Sequence, residues 1–386
     1  MSKVNYTMFF RLLIYIPKIV LIFFLISCNA DNKKNGIATI VITGNVHSQL
    51  DPCGWKNNPT GGLPRKSTFI KSIIKQGKNP LIIDAGNLFF SKDKPEPLDF
   101  AQSKIRAKTI IEGYNSIGCE VMNVGSKDLA AGIDFLNQLK KEANFPFISS
   151  NLTNNQDSLL FQTHVIVESN GFSFGITGVT TQKNISKNIV TKDVINSVNN
   201  VLDEIDKLTD FNIVLFNGSY KEAMAYRPKF EKANYMFLSG DYQNPIGKEQ
   251  NPKKGPRMYR LGVQGKSIGI LNLNISDLNA SLIDITELKR RQAFFKIQLD
   301  RLNKKDPSKS LEELYANDEA QLGRIKRIKQ GQAQNNSQLI GVNNTSHFDF
   351  PPMNKDIKDD SKILSLVNAT LDECEAIATN FKKENL

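Results

Sequence analysis

The stretch Ile37-Ala38-Thr39-Ile40-Val41-Ile42-Thr43-Gly44-Asn45-Val46-His47 decides how this chain folds. An apolar, β-branched run that ends at once in glycine and asparagine reads as a strand followed by a polar loop. The same pattern returns in Leu81-Ile82-Ile83-Asp84-Ala85-Gly86-Asn87 and in Asn123-Val124-Gly125-Ser126-Lys127-Asp128. Strands are predicted over residues 37–42, 80–84, 121–124, 147–149, 174–177, 212–216, 235–238 and 267–273. A Gly-rich loop opens 59–76 and becomes a helix; helices are also expected over 99–116 and 133–143. Strands alternating with helices imply a layered α/β domain, here 37–283. In open α/β sheets, sites form beyond the carboxyl ends of strands. The loops after Ile42, Asp84, Val124, Phe216 and Leu238 are therefore the ones to inspect.

From Thr286 the pattern changes. Leu288, Phe295, Leu299 and Leu302 stand 7, 4 and 3 residues apart, and Leu311, Leu314, Ile325 and Ile328 continue the seam around polar Asp318 and Gln321. Asp306-Pro307 breaks the run, and Ser310 with Glu313 makes a capping box. This predicts a helical hairpin over 284–330 with a coiled-coil-like seam, a surface that could take a protein partner. Lys289-Arg290-Arg291 and Arg324-Lys326-Arg327 read as solvated faces. A Gln/Asn-rich linker is expected over 330–338, then an amphipathic helix over 361–381, so that 331–386 is linker plus C-terminal helix.

The other end carries Lys3, Arg11 and Lys18 with no acidic residue, then eight apolar residues from Ile19 to Ile26. Eight residues cannot cross a bilayer core, which takes about twenty, and a short apolar run behind a basic leader reads as a signal peptide. An uncleaved anchor helix starting near Met8 would bury Arg11 and Lys18 at about 2.5–3.5 kcal/mol each near its centre. Leu25-Ile26-Ser27-Cys28 resembles the lipobox of bacterial lipoproteins. That resemblance implies cleavage after residue 27 and lipid on the Cys28 sulfur. A tether over 28–36 would then join the body to membrane lipid, on the periplasmic side of either membrane or at the cell surface. The whole chain carries a net +11; without the leader 47 basic residues stand against 39 acidic, a net +8. The two signs are mostly interleaved, so nucleic acid is not an expected partner, whereas an anionic membrane surface is compatible. Three further cysteines, Cys53, Cys119 and Cys374, cannot all pair within one chain. Cys119 and Cys374 have apolar neighbours and read as core residues, while Cys53 lies in a turn and could be a reactive thiol.

The strand-end loops carry a family resemblance. Ile42-Thr43-Gly44-Asn45-Val46-His47 resembles the first motif of the calcineurin-like metallophosphoesterases, Asp-x-His, especially in the exported 5′-nucleotidase branch. Gly61-Gly62-Leu63-Pro64-Arg65 is similar to that branch's Gly-Gly-Leu-Ala-Arg. Leu81 to Asn87 resembles its Asp-Ala-Gly-Asp, and Gly125-Ser126-Lys127-Asp128 lies where the family has Gly-Asn-His-Glu. Further similar stretches are 147–152, 175–179 and 265–269, so the resemblance spans about 37–280. A subgroup has a Pro-Cys-Gly-Cys turn after the first histidine; here it is Pro52-Cys53-Gly54-Trp55, and the pair is lost. The resemblance implies a layered sandwich followed here by the hairpin and the C-terminal helix.

It also implies a reaction that this sequence is ill equipped to run. The family's chemistry needs two divalent metals roughly 3.5–4 Å apart, held by imidazoles and carboxylates. Matched residue by residue, the first Asp is Asn45, the bridging Asp is Asn87, the motif Asn is Ser126 and the motif His is Lys127. The next His is Asn217, or Phe216 in another alignment, and the terminal Gly-His-x-His is Gly240-Asp241-Tyr242-Gln243. Of this set His47 alone is intact, and the whole chain has three histidines. His47 reads as a loop residue against Trp55, as a lone hydrogen-bonding group, or as one ligand of a single ion with Asp241. The expectation is a former metal pocket with no cofactor, in a non-catalytic binding or scaffold lipoprotein. The rivals are a metal-dependent phosphoesterase that uses manganese or zinc at an altered site, and a redox role for Cys53. The large base-gripping domain of the nucleotidases has no counterpart in the helices and linker that follow residue 283.

Overall fold

Gly36–Thr43 forms the first strand, β1, with its last six residues buried. The computed structural model describes residues 34–54, 57–183, 185–186, 188–240 and 252–384. The stretch read from sequence as a signal peptide, and Cys28, lie outside them. After β1 come α1 (Leu63–Lys75), β2 (Leu81–Asp84), α2 (Pro97–Ile117), β3 (Val121–Asn123), α3 (Gly132–Glu142) and β4 (Phe147–Ile148). Then follow β5 (Leu152–Thr153), β6 (His164–Ser169), β7 (Phe172–Thr180), β8 (Val190–Thr191), α4 (Val194–Ile205), β9 (Phe211–Asn217), α5 (Tyr220–Tyr226), β10 (Tyr235–Ser239), β11 (Arg257–Arg260) and β12 (Gly269–Ile275). The chain ends with β13 (Leu282–Asp284), α6 (Thr286–Asn303), α7 (Leu311–Leu314), α8 (Glu319–Ser337), β14 (Asn344–Asp349) and α9 (Ser361–Glu384).

The strands form two large sheets, ordered β13-β14-β12-β1-β2-β3-β4 and β11-β10-β9-β7-β6, with β5 and β8 as a separate pair. β1 runs parallel to β2 and antiparallel to β12. The sheets bury their faces against each other: Ala38, Ile40 and Ile42 of β1 share one core with Phe174, Ile176 and Leu215 from the second sheet. Val41 points the other way, into a core with Ile70, Ile110, Ile111 and Val367 beneath α1, α2 and α9. Burial on both faces is why β1 reads as a continuous apolar run and not as an alternation. On the far side, α4 and α5 cover the second sheet through Val198, Leu202 and Ala223. The result is four layers: helices, sheet, sheet, helices.

The tail differs from its sequence reading in two places. The stretch 330–338, expected to be a linker, is the last part of α8, which stays helical to Ser337; glutamine and alanine are good helix formers, and polarity alone does not break a helix. More importantly, 331–386 holds a strand as well as the expected helix. β14 inserts between β12 and β13 in the first sheet, and α9 packs on α2 and α1. Residues 35–386 accordingly form one compact unit. β14 is anchored by Phe348, stacked 4.2 Å from Tyr259, and by Asn344, whose Nδ2 donates to the carbonyls of Asp277 and Ala280. The hairpin itself forms, with the Ser310–Glu313 capping box and Ile325 buried in its seam. Asp318, placed by sequence within the seam, instead caps α8 by accepting from the Gln321 N–H. At its base Asn335 donates to the Leu288 carbonyl and Gln292 to Asn336.

Asp360 fastens α9 to α1. Its carboxylate accepts from Lys71 Nζ at 2.5 Å and from Ser67 Oγ at 2.9 Å. Partial burial pushes this carboxyl up, but Lys71, the Ile363 N–H and Ser67 outweigh that and hold it at about 2. A carboxyl depressed in the folded state stabilises fully above its unfolded value of about 4 and loses that contribution as pH falls through the folded value. Thermal melts should therefore show a stability loss between about pH 4 and pH 2 that shrinks in Lys71→Ala; an unchanged acid limb in that variant would show that the pair does not fasten α9.

Candidate functional site

The loops after β1, β2, β3, β9 and β10 meet at one edge of the sandwich. Their backbone is unusual: Asn45, His47, Ser48 and Asn87 have φ of 53°, 57°, 65° and 60°. Asparagine tolerates this left-handed region; histidine and serine adopt it less readily. The loops are pinned together by backbone bonds from Asn45 N to Gly86 O, His47 N to Asn87 O and Ser48 N to Leu88 O. Beneath them the buried Asp128 carboxylate accepts four backbone N–H groups. Oδ2 takes Asn87 at 2.8 Å and Gly125 at 2.9 Å; Oδ1 takes Leu88 at 2.7 Å and Phe89 at 3.0 Å. Burial pushes this carboxyl up, to about 7, against those donors. The close approach also explains Gly125: a Cβ there would sit 2.4 Å from Asn87 Oδ1.

On this frame six residues singled out from the sequence come together. Asn45 Oδ1 accepts from Gly240 N at 2.8 Å and Asn87 Nδ2 at 3.3 Å. Asn87 Oδ1 accepts from the Lys127 N–H at 3.2 Å. Asn217 Oδ1 accepts from Ser126 N at 3.0 Å and Thr180 Oγ1 at 3.1 Å, while its Nδ2 donates to Ser239 Oγ at 2.8 Å. Lys127 Nζ lies 3.3 Å from His47 Nε2. Burial, and secondly the Lys127 charge, lower the His47 imidazole to about 3, so it is neutral; Nε2 then accepts from the ammonium, which leaves the ring proton on Nδ1. Phe216, the other candidate for the position of Asn217, is buried in the core under α4 and α5. Asp241, Gln243 and Trp55 lie outside the described residues. Cys53 is half-buried, with Sγ 3.5 Å from Gln264 Oε1. Burial pushes its thiol up, away from the thiolate that reactivity requires. Cys119 and Cys374 are buried.

Sequence reasoning missed two features. Behind the loops, Lys66 Nζ donates to Tyr114 Oη at 2.8 Å, which donates to Asp84 Oδ2 at 3.1 Å, and Thr43 Oγ1 meets the same oxygen at 2.5 Å. All four are buried. Lys66 was visible in principle: with Leu63, Ile70 and Ile73 it keeps the 3, 4, 3 spacing of a buried helix stripe. The second is a cleft of about 860 Å³ beside the cluster, lined among others by Ser126, Lys127, Thr181, Lys183, Asn217 and Ser219.

No family model matches the chain. Among curated proteins it is 25% identical over 198 residues to rat 5′-nucleotidase, covering 47% of this chain and 33% of that one. It is 28% identical over 138 residues to the 2′,3′-cyclic-nucleotide 2′-phosphodiesterase/3′-nucleotidase of Yersinia enterocolitica, covering 33% and 21%. The chain thus spans a third or less of the length of these relatives. Among solved structures, the calcineurin-like phosphoesterase YfkN from Bacillus subtilis superposes with a TM-score of 0.59 at 13% identity, over 89% of this chain and all of that one. The chain has the calcineurin-like phosphoesterase fold. Its homologues are 5′-nucleotidases and related phosphoesterases. The 5′-nucleotidase precursor of Thermus thermophilus shares the fold over 62% of this chain and 52% of its own, with a TM-score of 0.52 and 19% identity.

Phosphoesterases of this fold depend on metal, and the described residues of this cluster do not fit a metal pair. Both acceptor positions of Asn45 Oδ1 and of Asn217 Oδ1 are taken by protein donors, and the His47 lone pair that a cation would use faces an ammonium. The amides are neutral, so they cannot offset two dications. Among the described residues no group of three or more His, Cys, Asp or Glu could hold a metal ion. NMR should find the His47 ring neutral and non-titrating from pH 8 to pH 5, with the lone pair on Nε2. Lys127→Met should raise its titration point towards the ordinary value near 6.5; a ring that protonates near pH 6 in the parent would break this assignment.

Proposed function

We propose that this protein is a non-catalytic binding or scaffold protein, exported and held to a membrane by lipid on Cys28, on a phosphoesterase fold whose reaction centre has become an internal hydrogen-bond network. The observation that carries the reading is Lys127 Nζ at 3.3 Å from His47 Nε2. A fixed ammonium stands on the one retained imidazole. Two dications about 4 Å apart repel by on the order of 16 kcal/mol at an effective dielectric near 20, four times the unit-charge figure. Carboxylates must offset that repulsion, and Asn45 and Asn87 carry no charge. What remains is a polar cleft whose rim offers Lys127, Lys183, Ser219 and the amides, a surface suited to recognition and not to turnover. The second reading, a metal-dependent phosphoesterase with an altered site, draws its support from the relatives' activities and from the retained cleft.

Purified protein given manganese or zinc should not hydrolyse a generic aryl phosphate ester or a nucleoside monophosphate above background. Asn45→Asp or Asn87→Asp alone should not restore activity, because the missing groups act as a unit, and chelator should leave the melting midpoint unchanged. A metal bound at a hundred times its Kd would contribute about 2.7 kcal/mol, so a drop of several degrees on chelation, or a metal-dependent rate abolished by His47→Ala, would establish the second reading.

The anchor has its own test. Cys28→Ser should leave an unprocessed precursor or release the protein from membranes. Normal cleavage with unaltered membrane attachment in that variant would remove the lipoprotein assignment.

A further inference from the structure

The hairpin carries a face that its own seam does not use. Leu288, Phe295, Leu299 and Leu302 share the side of α6 that meets α8, where Phe295 packs on Gly331. On the opposite side Arg290, Phe294, Ile297, Arg301 and Lys304 recur at spacings of 4, 3, 4 and 3, which forms a second stripe along the helix. Phe294 is 58% exposed and Ile297 49%. Arg290, read from sequence as part of a solvated face, thus shares its side with two large exposed apolar groups and two more cations, and pairs with Glu287 at 3.8 Å. Charge points the same way: from Thr286 to Ser337 there are twelve Lys and Arg against seven Asp and Glu, a net +5, out of +11 for the whole chain.

We infer that this stripe docks onto an anionic lipid surface. Interfacial helices combine exposed large apolar side chains with Lys and Arg, and basic residues near an anionic bilayer are each worth about 1 kcal/mol. Gly36, where β1 begins, pairs with Ile275 at the end of β12. β13 and β14 start at that same end, where Asn344 pairs with Leu282 and accepts from Ser276 N, and α6 starts about midway along the sheet, where Thr286 Oγ1 accepts from Phe348 N, level with Ile40. The candidate site is at the other end, after β1. From Cys28 to Gly36 the chain reaches at most about 28 Å, and α6 is about 27 Å long at 1.5 Å per residue. A Cys28 anchor, where the inference leans on the preceding reading, would tie Gly36 to the bilayer through no more than that reach of chain. A second copy is a poorer occupant: an antiparallel pairing of two stripes sets Arg290 against Arg301 and Lys304.

The test uses a lipid-free chain starting at Asn29. It retains every described core residue, since these run from Ala38 to Cys374, and its binding owes nothing to Cys28. Co-sedimentation with vesicles of equal phosphatidylglycerol and phosphatidylcholine should exceed that with phosphatidylcholine alone by about tenfold or more, and should fall with added salt. Arg290→Glu with Arg301→Glu should weaken it at least tenfold, at about fivefold per cation lost. Phe294→Ser should weaken it without lowering the melting midpoint, because the ring is exposed. Failure to bind the anionic vesicles, equal binding to both vesicle types, or binding unaffected by the double charge variant would overturn the inference. So would a concentration-dependent dimer of the parent that Phe294→Ser dissolves, which would make the stripe a self-association surface. Each of these outcomes leaves the Cys28 assignment to its own experiment.

Discussion

The carboxylate of Asp128 is the constraint on which the strand-end architecture depends. Four backbone N–H groups from two loops converge on its two oxygens. A buried anion is costly unless it is fully hydrogen-bonded, so the position tolerates no partial solution: either both loops take the conformation that aims their N–H groups inward, or the charge is orphaned. Asn87 sits in the left-handed region because that conformation turns its N–H toward Asp128 while its carbonyl accepts from His47. The geometry of both loops is thereby fixed by one buried side chain.

A second consequence is the division of labour between backbone and side chain. The frame belongs to Asp128, Asp84 and the buried Lys66–Tyr114 pair, and it is carried by groups that face inward. In front of it Asn45 and Asn87 hydrogen-bond each other, while Asn217 is held by Ser126, Thr180 and Ser239. Within the frame, burial lowers the Lys66 ammonium to about 8, and the Asp84 charge offsets part of that cost.

The legibility of the sequence followed the chemistry of burial. Strands buried on both faces, such as β1 and β2, announced themselves as apolar runs, and the loops beyond them were inspected for that reason. The site cluster was legible because Asn45, His47, Asn87, Ser126, Lys127 and Asn217 occupy positions set by strand ends, which sequence spacing preserves. β14 was not legible. Its buried positions are Asn344, Ser346 and Phe348, two of them polar, and the strand rests on tertiary partners: the Asn344 hydrogen bonds and the Phe348–Tyr259 stack. The roles of Asp128 and Lys66 were hidden for the same reason: an acidic or basic residue signals burial only when its partners, distant in sequence, are known. The extra turns of α8 were obscured by reading polarity as disorder.

The placement of β14 bears on how the chain becomes native. β1 finds its antiparallel neighbour in β12 more than two hundred residues later, and β12 in turn is flanked by a strand that arrives at residue 344. Contacts of such sequence separation slow folding, because loop closure must precede the gain from pairing. Until the last strand and α9 are available, one side of β12 and the outer surface of α2 stay uncovered. Loss of β14 and α9 should therefore be far more damaging than the polar, loop-like composition of that region suggests.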